Sequence, residues 1–303
     1  MAQDSGEAFD HDVAIVGGGP AGSSAAVFTA RYGLDTVVFD RGRSSIQQCA
    51  HLENYLGFPG GIDIRTFYDL MHSHAEGAGC EIVSDLVQSV ERADERGFVV
   101  ERQSGEAVTA RRVIAATRYG GEYLRGLDSE DAMFETHEYD GQTEEFFDKS
   151  YAEEDGSTPV EGLFVASPYG STSPQASMAA GHGARVGVAV VEAERRGRGY
   201  PDGVADYYDW MRRERERDEE WSDPDRWREF LESQFPEDDG LSAERRDELL
   251  EREVDRRLDT YISEETAQRR GRDGQRRLLD HIDDDLVVEA ARKIEAERSS
   301  SDS

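Results

Sequence analysis

Three glycines near the amino terminus limit the fold of this chain more than any other feature. Gly17, Gly19 and Gly22 form a Gly-x-Gly-x-x-Gly pattern between the apolar, β-branched run "DVAIVG" and an alanine-rich helical stretch. A strand, a glycine loop and a helix in this order are typical of a dinucleotide-binding βαβ unit. Its glycines permit a tight turn, a close approach of the backbone to a pyrophosphate, and packing of the helix on the strand. The pyrophosphate would lie at the amino terminus of the helix, where the helix dipole favours an anion.

Asp40 extends this pattern to a ribose. It ends the second apolar run, "DTVVFD", and an acid at this place accepts hydrogen bonds from ribose hydroxyl groups. The glycines and the acid together predict a bound dinucleotide. The alternative is a glycine-rich turn that binds nothing.

Short β-branched runs alternate with helical patterns from residue 12 to residue 128, which predicts an α/β fold. Helices are expected at 20–32 and 63–77, and the later runs, such as "GFVVERQ" and "RRVIAAT", predict a β meander. The acids, glycines and scattered aromatics of 128–157 predict a linker or a long loop. After this segment, "VEGLFVAS" predicts a strand, and the following residues predict a helix that starts at Ser173-Pro174 and runs to about Arg196.

The composition changes near Gly199, where we place a domain boundary between residues 1–198 and an acidic helical extension, residues 199–303. Long charged helices with sparse apolar positions are expected there, and Gly271 in "GRDG" should break one of them. No motif in this part indicates chemistry. Trp210, Trp221 and Trp227 would form a small helical core or lie on the first domain. The extension as a whole would pack on the first domain, contact a partner subunit or cap an exposed surface.

The chain is strongly acidic, with 66 Asp and Glu against 35 Lys and Arg and a net charge of −31. Lys149 and Lys293 are its two lysines. Such a surface is expected of a protein adapted to a salty cytoplasm, and the alternative is an ordinary acidic protein. In either case the charge repels phosphate backbones and argues against nucleic acid as a partner.

The two cysteines, Cys49 and Cys80, form neither a disulfide framework nor a Cys-x-x-Cys pair, and no metal site is assigned. The amino-terminal residues lack a basic region followed by an apolar run, and no apolar stretch approaches the length of a membrane span. We therefore expect a soluble, cytoplasmic protein that does not associate with a membrane.

The segment "LENYLGFPGGID" makes the dinucleotide prediction more specific, because it resembles the flavin domain of the thioredoxin reductase family. The resemblance continues through "MHSHAEGAGCEIVSDLVQSV", "RRVIAATRYGGEYLRGLDSED" and "VEGLFVASPYGSTSPQASMAAGHGARVGVAVVEA". It covers roughly residues 11–130 and 158–195. It implies a Rossmann-like FAD-binding domain of the two-dinucleotide-binding type, with a parallel sheet and a β meander, and FAD as the cofactor.

The resemblance also implies a role for particular residues. The three glycines and Asp40 would hold the ADP half of FAD, and Val87 would offer its backbone to the adenine. Asn54 would lie beside the flavin and ribityl chain, and Thr117 close to the cofactor. The start of the last helix of the domain would point its amides at the pyrimidine end of the flavin, where a helix amino terminus stabilises negative charge. The residues there are Gln175 and Ala176.

The sequence departs from the family in three places. A second glycine fingerprint and a Cys-x-x-Cys pair are missing from this sequence, and residues 129–157 are expected to replace the inserted NADPH domain of the family. Arg118 replaces the glycine of the family's Ala-Thr-Gly. It would pair with a phosphate or be an exposed loop charge, and the loop is favoured. Ala166-Ser167-Pro168 stands where the family has Ala-Gly-Asp, so that a carboxylate and a backbone donor are lost at Pro168.

These observations predict an FAD-dependent oxidoreductase that passes electrons between two partners without a dithiol in the chain. The donor would be a small redox protein or a diffusible nicotinamide, and a homodimer is expected from the family. The alternative is a non-catalytic flavin- or nucleotide-binding module with a regulatory or interaction role. Cys49 is expected to be a small core residue rather than a redox group beside the flavin. His182 is expected to be a packing or surface residue rather than a partner of reduced flavin.

Overall fold

The computed structural model describes residues 9–93, 96–118, 120–139, 142–148, 150–166, 175–208, 212–215, 220–236 and 239–301. The chain divides into two compact units, Met1–Gly199 with Tyr207–Asp209, and Tyr200–Asp206 with Trp210–Ser303. The elements of the first unit are, in chain order, β1 (His11–Val16), α1 (Pro20–Tyr32), β2 (Thr36–Phe39), β3 (His51–Leu52), β4 (Ile62–Asp63), α2 (Ile64–Gly77), β5 (Glu81–Val83), β6 (Val87–Arg92), β7 (Phe98–Arg102), β8 (Ala107–Ala115), α3 (Glu130–Met133), β9 (Phe134–Tyr139), β10 (Gln142–Phe147), β11 (Leu163–Val165) and α4 (Ala176–Gly197). Two 3₁₀ helices, Ser45–Gln48 and Glu122–Leu124, lie between them.

A seven-stranded sheet organises the first unit in the order β5-β2-β1-β8-β7-β6, with β11 paired to β8. The strands β5, β2, β1, β8 and β11 run parallel. The strands β7 and β6 continue the sheet in antiparallel pairing from β8. The predicted parallel sheet with a β meander is therefore confirmed.

Both faces of the sheet are covered, as the continuous apolar run of β1 requires. Val13 and Ile15 belong to one core cluster, whereas Ala14 and Val16 belong to the other, and each of the four is at most 5% exposed. Side chains of a strand alternate between the faces of a sheet, so a strand that is apolar at every position must be buried on both sides. The helices α1 and α4 supply one cover, and the 3₁₀ helix Glu122–Leu124, α3 and the segment after it supply the other.

The helices α1 and α4 approach each other closely because small residues face each other between them. A Cβ atom added at Gly183 would collide with the carbonyl oxygen of Ala21, and one added at Gly187 would lie 2.9 Å from the carbonyl oxygen of Ala25. Glycines four positions apart on one helix share a face, so α4 presents its backbone directly to α1. This contact fixes where the amino termini of both helices lie.

An ion pair holds α4 on the sheet at its other end. Glu194 is 6% exposed and accepts hydrogen bonds from Arg112 of β8 and, at 2.7 Å, from Arg198. Burial acts to raise the pKa of Glu194, but the guanidinium groups of Arg112 and Arg198 outweigh it and hold that pKa below its ordinary value. Glu194 is therefore ionised in the folded protein.

The expectation of a linker or long loop at 128–157 is wrong for the described residues of this segment. The strands β9 and β10 pair as an antiparallel hairpin, in which Phe134 lies opposite Phe147. Met133, Phe134 and Tyr151 are buried in the same core cluster as β7 and β8. The segment is part of the first unit's core, whereas its correspondence to the family's inserted domain stays a prediction.

The second unit consists of α5 (Asp202–Ala205), β12 (Arg213–Glu214), α6 (Pro224–Gln234), α7 (Ala243–Leu258), β13 (Tyr261–Ile262), α8 (Glu264–Leu279) and α9 (Asp284–Ser301). Its core includes Leu231 of α6 and Leu249 of α7, with Trp227 packed against it and 4.7 Å from Trp221 between ring centroids. Trp210 lies outside the described residues. The break expected at Gly271 is wrong, because α8 continues through it.

Neither α8 nor α9 has a buried residue within the bounds given above. Among the helices of the described residues, none combines the length and the apolar character that crossing a bilayer requires.

Substituting Gly187 by valine should destabilise the protein, because the new side chain meets the backbone of α1. Overpacking of this kind costs about 1–3 kcal/mol of unfolding free energy. Thermal or denaturant unfolding in concentrated salt measures the loss. The matched control is Gly181→Val on the same helix, where an added Cβ has no neighbour within 4 Å among the described residues. Equal stability of the two variants would contradict the close packing of α1 and α4.

Substituting Glu194 by glutamine should lower the unfolding free energy at neutral pH, since two guanidinium groups lose a charged acceptor worth about 1–3 kcal/mol. The difference between wild type and variant should shrink as the pH falls through the range below about 4.3 in which free glutamate protonates. A carboxylate whose pKa is lowered on folding adds stability above that range and loses it in acid. Unfolding curves of both proteins as a function of pH test this, and a difference that does not depend on pH would contradict it.

Candidate functional site

A cleft of about 1010 Å³ opens at the carboxyl ends of the parallel strands in the first unit. Its volume is at the upper end of the roughly 300–1,000 Å³ common for small-molecule sites. In open parallel sheets, ligands bind outside the carboxyl ends of the strands. Eight of the nine predicted cofactor residues line this cleft, namely Gly17, Gly19, Asp40, Asn54, Val87, Thr117, Gln175 and Ala176.

The strand order places these residues in a line. Asp40 follows β2, Gly17 follows β1 and Thr117 follows β8, and those three strands are neighbours in that order. The start of α4 comes after β11, which pairs with β8. Residues that the resemblance assigns to ribose, pyrophosphate and flavin are therefore arranged along the cleft in the order in which those groups follow one another in FAD. Val87 opens β6 and also lines the cleft.

The glycine loop makes the close turn that its sequence predicts. Gly17 has a φ of +110°, and a Cβ at this position would lie 2.9 Å from the carbonyl oxygen of Ala116. A Cβ at Gly19 would lie 2.8 Å from Oγ of Ser44, inside the space that a ligand would use. Gly22 does not line the cleft. It packs against the carbonyl oxygen of Gly17, which is the helix–strand role predicted for the third glycine.

The amino terminus of α1 is open to an anion. Gly19 is its N-cap, Pro20 occupies the first turn, and the first turn carries no acidic residue. The first amides of a helix have no partner within the helix and carry the positive end of its dipole. Gly18, Gly19, Pro20 and Ala21 all line the cleft at this point.

Asp40 is held in place by residues that the sequence analysis did not identify. Its carboxylate is 7% exposed, accepts a hydrogen bond from the hydroxyl of Tyr68 at 2.5 Å, and accepts another from the amide of Gly42 at 3.1 Å. His72 lies with Nε2 at 3.6 Å from Asp40 Oδ2 and 2.9 Å from the carbonyl oxygen of Gly18. Tyr68 and His72 are four positions apart on α2, and this shared helix face was the signal that could have found them.

Tyr68 acts as a hydrogen-bond donor to Asp40. Burial, and after it the neighbouring carboxylate of Asp40, raise the pKa of the Tyr68 hydroxyl above its usual range. The phenol therefore keeps its proton and donates a hydrogen bond to the Asp40 side chain.

Asn54 and Gln175 meet at the other end of the cleft although 121 positions separate them in the sequence. Nδ2 of Asn54 donates to Oε1 of Gln175 at 2.7 Å. Gln175 is the N-cap of α4, and the first turn of that helix carries no acidic residue. The predicted helix start at Ser173-Pro174 lies outside the described residues, as do Ser167 and Pro168.

Thr117 and Tyr123 form a polar pair on the wall of the cleft next to β8. Oγ1 of Thr117 donates to the carbonyl oxygen of Gly120 at 2.9 Å and lies 3.1 Å from the hydroxyl of Tyr123. Burial raises the pKa of Tyr123, which keeps this phenol neutral. Tyr123 is a cleft residue that sequence reasoning missed, because its position depends on the turn after β8.

The structure also shows the environments of Arg118 and of the two cysteines. Arg118 is exposed and lines the cleft, where its Nη1 donates to Oγ of Ser45 at 3.3 Å. Cys49 is exposed and lines the cleft, so the expectation of a core residue is wrong. Cys80 is the buried cysteine, and burial raises the pKa of its thiol to about 12.

His182 is half-buried on α4 and is absent from the described lining of the cleft. Burial lowers the pKa of its imidazole, which favours the neutral form. Its position agrees with the packing role expected from the sequence.

The comparisons with known proteins agree on the amino-terminal part of the chain. Residues 11–143 match the family model "Pyridine nucleotide-disulphide oxidoreductase". A thioredoxin reductase of Streptomyces coelicolor is 34% identical over 126 residues, which is 40% of this chain and 38% of the relative. A thioredoxin reductase of Rickettsia conorii is 33% identical over 120 residues, 39% of this chain and 38% of the relative. The chain thus spans less than half of the length of the curated relatives it matches.

A solved structure supports the fold. The thioredoxin reductase from Gloeobacter violaceus superposes with a TM-score of 0.51 and 17% identity, covering 67% of this chain and 98% of that one. At this identity the likeness shows the fold alone. The proteins of the matching family are FAD-binding flavoproteins, and FAD is the cofactor that the sequence predicts for this chain.

Replacing Tyr68 by phenylalanine should lower the unfolding free energy by about 1–3 kcal/mol, because a buried carboxylate loses a charge-assisted hydrogen bond. Thermal unfolding in concentrated salt measures the change. Tyr55→Phe, in the neighbouring cluster with Phe58 and Phe67, removes a hydroxyl of the same kind and serves as the control. An equal loss of unfolding free energy in both variants would contradict a stabilising hydrogen bond between Tyr68 and Asp40.

Proposed function

Since residues 11–143 match the pyridine nucleotide-disulphide oxidoreductase family model, we propose that this chain is an FAD-dependent oxidoreductase whose cleft in the first unit holds the cofactor. One observation carries the proposal. The strand order β2-β1-β8, with β11 paired to β8, sets residues suited to ribose, diphosphate and flavin in that sequence along one cleft, which Val87 also lines. A glycine-rich turn that binds no ligand would not explain why the other predicted cofactor residues line the same cleft.

The residues present fit the ADP half of FAD. The space next to Gly19 would be filled by any side chain at that position, and the adjoining helix terminus has no acid to repel a diphosphate. Asp40, held by Tyr68 and Gly42, is ready to accept hydrogen bonds from a ribose. The backbone at Val87 borders the adenine end.

The residues at the other end of the cleft suit a flavin ring. When bound, FAD supplies reversible two-electron redox chemistry. The first amides of α4, at Ala176, would stabilise negative charge on the ring, since a helix amino terminus favours an anion. Asn54 and Gln175 border the same region and would orient the ring edge through their side-chain amides.

The route of the electrons is the part of the proposal that goes beyond the family. Cys49 and Cys80 are one exposed and one buried thiol, and the sequence contains no Cys-x-x-Cys pair. We therefore propose electron transfer through the cofactor without a dithiol or a nicotinamide-binding domain in this chain. The donor and acceptor would be a small redox protein or a diffusible nicotinamide. The protein would work in a salt-rich cytoplasm, as a homodimer, and without nucleic acid or membrane partners.

A second candidate function is a flavin- or nucleotide-binding module without catalytic activity. The hydrogen bond between Asn54 and Gln175 favours it, because the Asn54 amide nitrogen and the Gln175 amide oxygen already have each other as partners without a ligand. The two candidates differ in whether bound FAD is reduced. Wild-type protein is therefore purified in concentrated salt, titrated with FAD, and exposed without oxygen to NADH, NADPH and a reduced small redox protein. Bleaching of the flavin absorbance supports the oxidoreductase, whereas bound FAD that none of these donors reduces supports the module.

Substituting Gly19 by valine should abolish retention of FAD while leaving the protein folded, since the side chain would occupy the diphosphate space beside Ser44. Equilibrium dialysis or flavin fluorescence measures retention, and circular dichroism measures the fold. Gly181→Val again supplies the control, because its position is open. Retention of FAD by Gly19→Val would contradict the placement of the diphosphate.

A further inference from the structure

We propose that Arg118 is a specificity-determining residue of the cleft, whose guanidinium binds a phosphate of the dinucleotide and makes the cleft select a diphosphate over an uncharged nucleoside. This inference rests on the proposed function, because it requires a nucleotide in the cleft. The family has glycine at this position, so Arg118 is a property of this chain and is not carried over from the resemblance.

The backbone places Arg118 beside the glycine loop. The strands β1 and β8 are neighbours, with Val16 opposite Ala115, so the residues that follow the two strands emerge side by side. The segment after β8 lies close to the glycine loop: a Cβ added at Gly17 would lie 2.9 Å from the carbonyl oxygen of Ala116 and 3.4 Å from the amide nitrogen of Thr117. Arg118 therefore starts next to the first glycine of the loop.

The side chain extends from there toward the second glycine of the pattern. Nη1 of Arg118 donates to Oγ of Ser45 at 3.3 Å. The preceding residue, Ser44, is the N-cap of the 3₁₀ helix and has its Oγ next to Gly19. The guanidinium thus lies between the segment after β8 and the segment after β2, on the side of the cleft where α1 begins.

A guanidinium in this position suits a phosphate in both geometry and charge. Its N–H donors form a planar fork that matches two oxygens of one phosphate, which a lysine cannot do. The amino terminus of α1 offers only about half a unit of positive charge. A chain with a net charge of −31 repels an anionic ligand, so a local cation has a large effect on its binding.

The lining of the cleft carries other charged groups besides Arg118. Among its described lining residues, Arg41 and Arg43 follow Asp40 at the ribose end. The carboxylates there are Asp40, Glu53, Asp85 and Glu122. Asp40 accepts from Tyr68, and Asp85 lies 4.0 Å from a guanidinium nitrogen of Arg102. Arg118 donates to the hydroxyl of Ser45, and the neighbouring Ser44 lies beside Gly19.

The test compares the binding of ADP, adenosine and FAD to four proteins in concentrated salt by isothermal titration calorimetry. The proteins are wild type, Arg118→Gln, Arg118→Lys and Arg65→Gln. Arg65 is exposed on α2 and outside the described lining of the cleft, so its variant changes the net charge equally. Circular dichroism and the thermal midpoint show that each variant is folded.

We expect Arg118→Gln to raise the Kd for ADP and for FAD about 10- to 100-fold, the range for losing a charge-assisted hydrogen bond. The Kd for adenosine should not change in Arg118→Gln. The Kd of Arg118→Lys for ADP and for FAD should lie between the values of wild type and Arg118→Gln. The Kd values of Arg65→Gln should equal those of wild type. The salt dependence of ADP binding should also be weaker in Arg118→Gln, since one ionic contact is missing.

Two results would overturn the inference while leaving the proposed function intact. One is an unchanged Kd for ADP in Arg118→Gln. The other is an equal loss for ADP and adenosine, which would mark a general structural effect. A folded wild-type protein that binds neither ADP nor FAD would instead refute the proposed function, and this inference would fall with it.

Discussion

The contact between α1 and α4 is the constraint on which the rest of the first unit depends. Gly183 and Gly187 bring the backbone of α4 onto that of α1 at Ala21 and Ala25. Since the two helices begin at the same edge of the sheet, their close packing brings two helix amino termini to one cleft. Glu194 fixes the far end of α4 to β8, so the helix has little freedom to move its start away from the cleft. The positive dipole ends of both helices are therefore directed by packing in the core.

The sequence predicted the elements that have strong local signals. Helix α1 has the predicted bounds, because Pro20 starts it and a glycine in the left-handed region, Gly33, ends it. The hairpin of β9 and β10 was missed because Glu135, Glu138, Glu144 and Glu145 interrupt the alternation of apolar and polar residues that indicates a strand. The "DG" between its strands was the available signal for a turn. Helix α8 continues through Gly271 and Gly274, since each exposed glycine costs only about 1 kcal/mol in a helix.

The residues of the candidate site could be predicted where a local sequence pattern defines their position. They could not be predicted where tertiary contacts bring them to the cleft. The glycines and Asp40 belong to the first kind, because loop and strand order define them. Tyr68, His72 and Tyr123 belong to the second, since a helix face or a turn brings them to the cleft only after the chain has folded. Cys49 was misjudged for the same reason, as its exposure follows from the cleft beside it.

The hydrogen bond between Asn54 and Gln175 has a consequence for how samples of this protein behave. The bond from the Asn54 amide nitrogen to the Gln175 amide oxygen gives both atoms a partner at one end of the open cleft, which allows the empty protein to be a well-ordered resting form. Cofactor entry then exchanges one internal hydrogen bond for new ones, so the gain at that end is smaller than the number of new contacts suggests. The colour of a freshly purified sample would accordingly reflect how much flavin the producing cells contained, while the capacity of the cleft would show only after FAD is added.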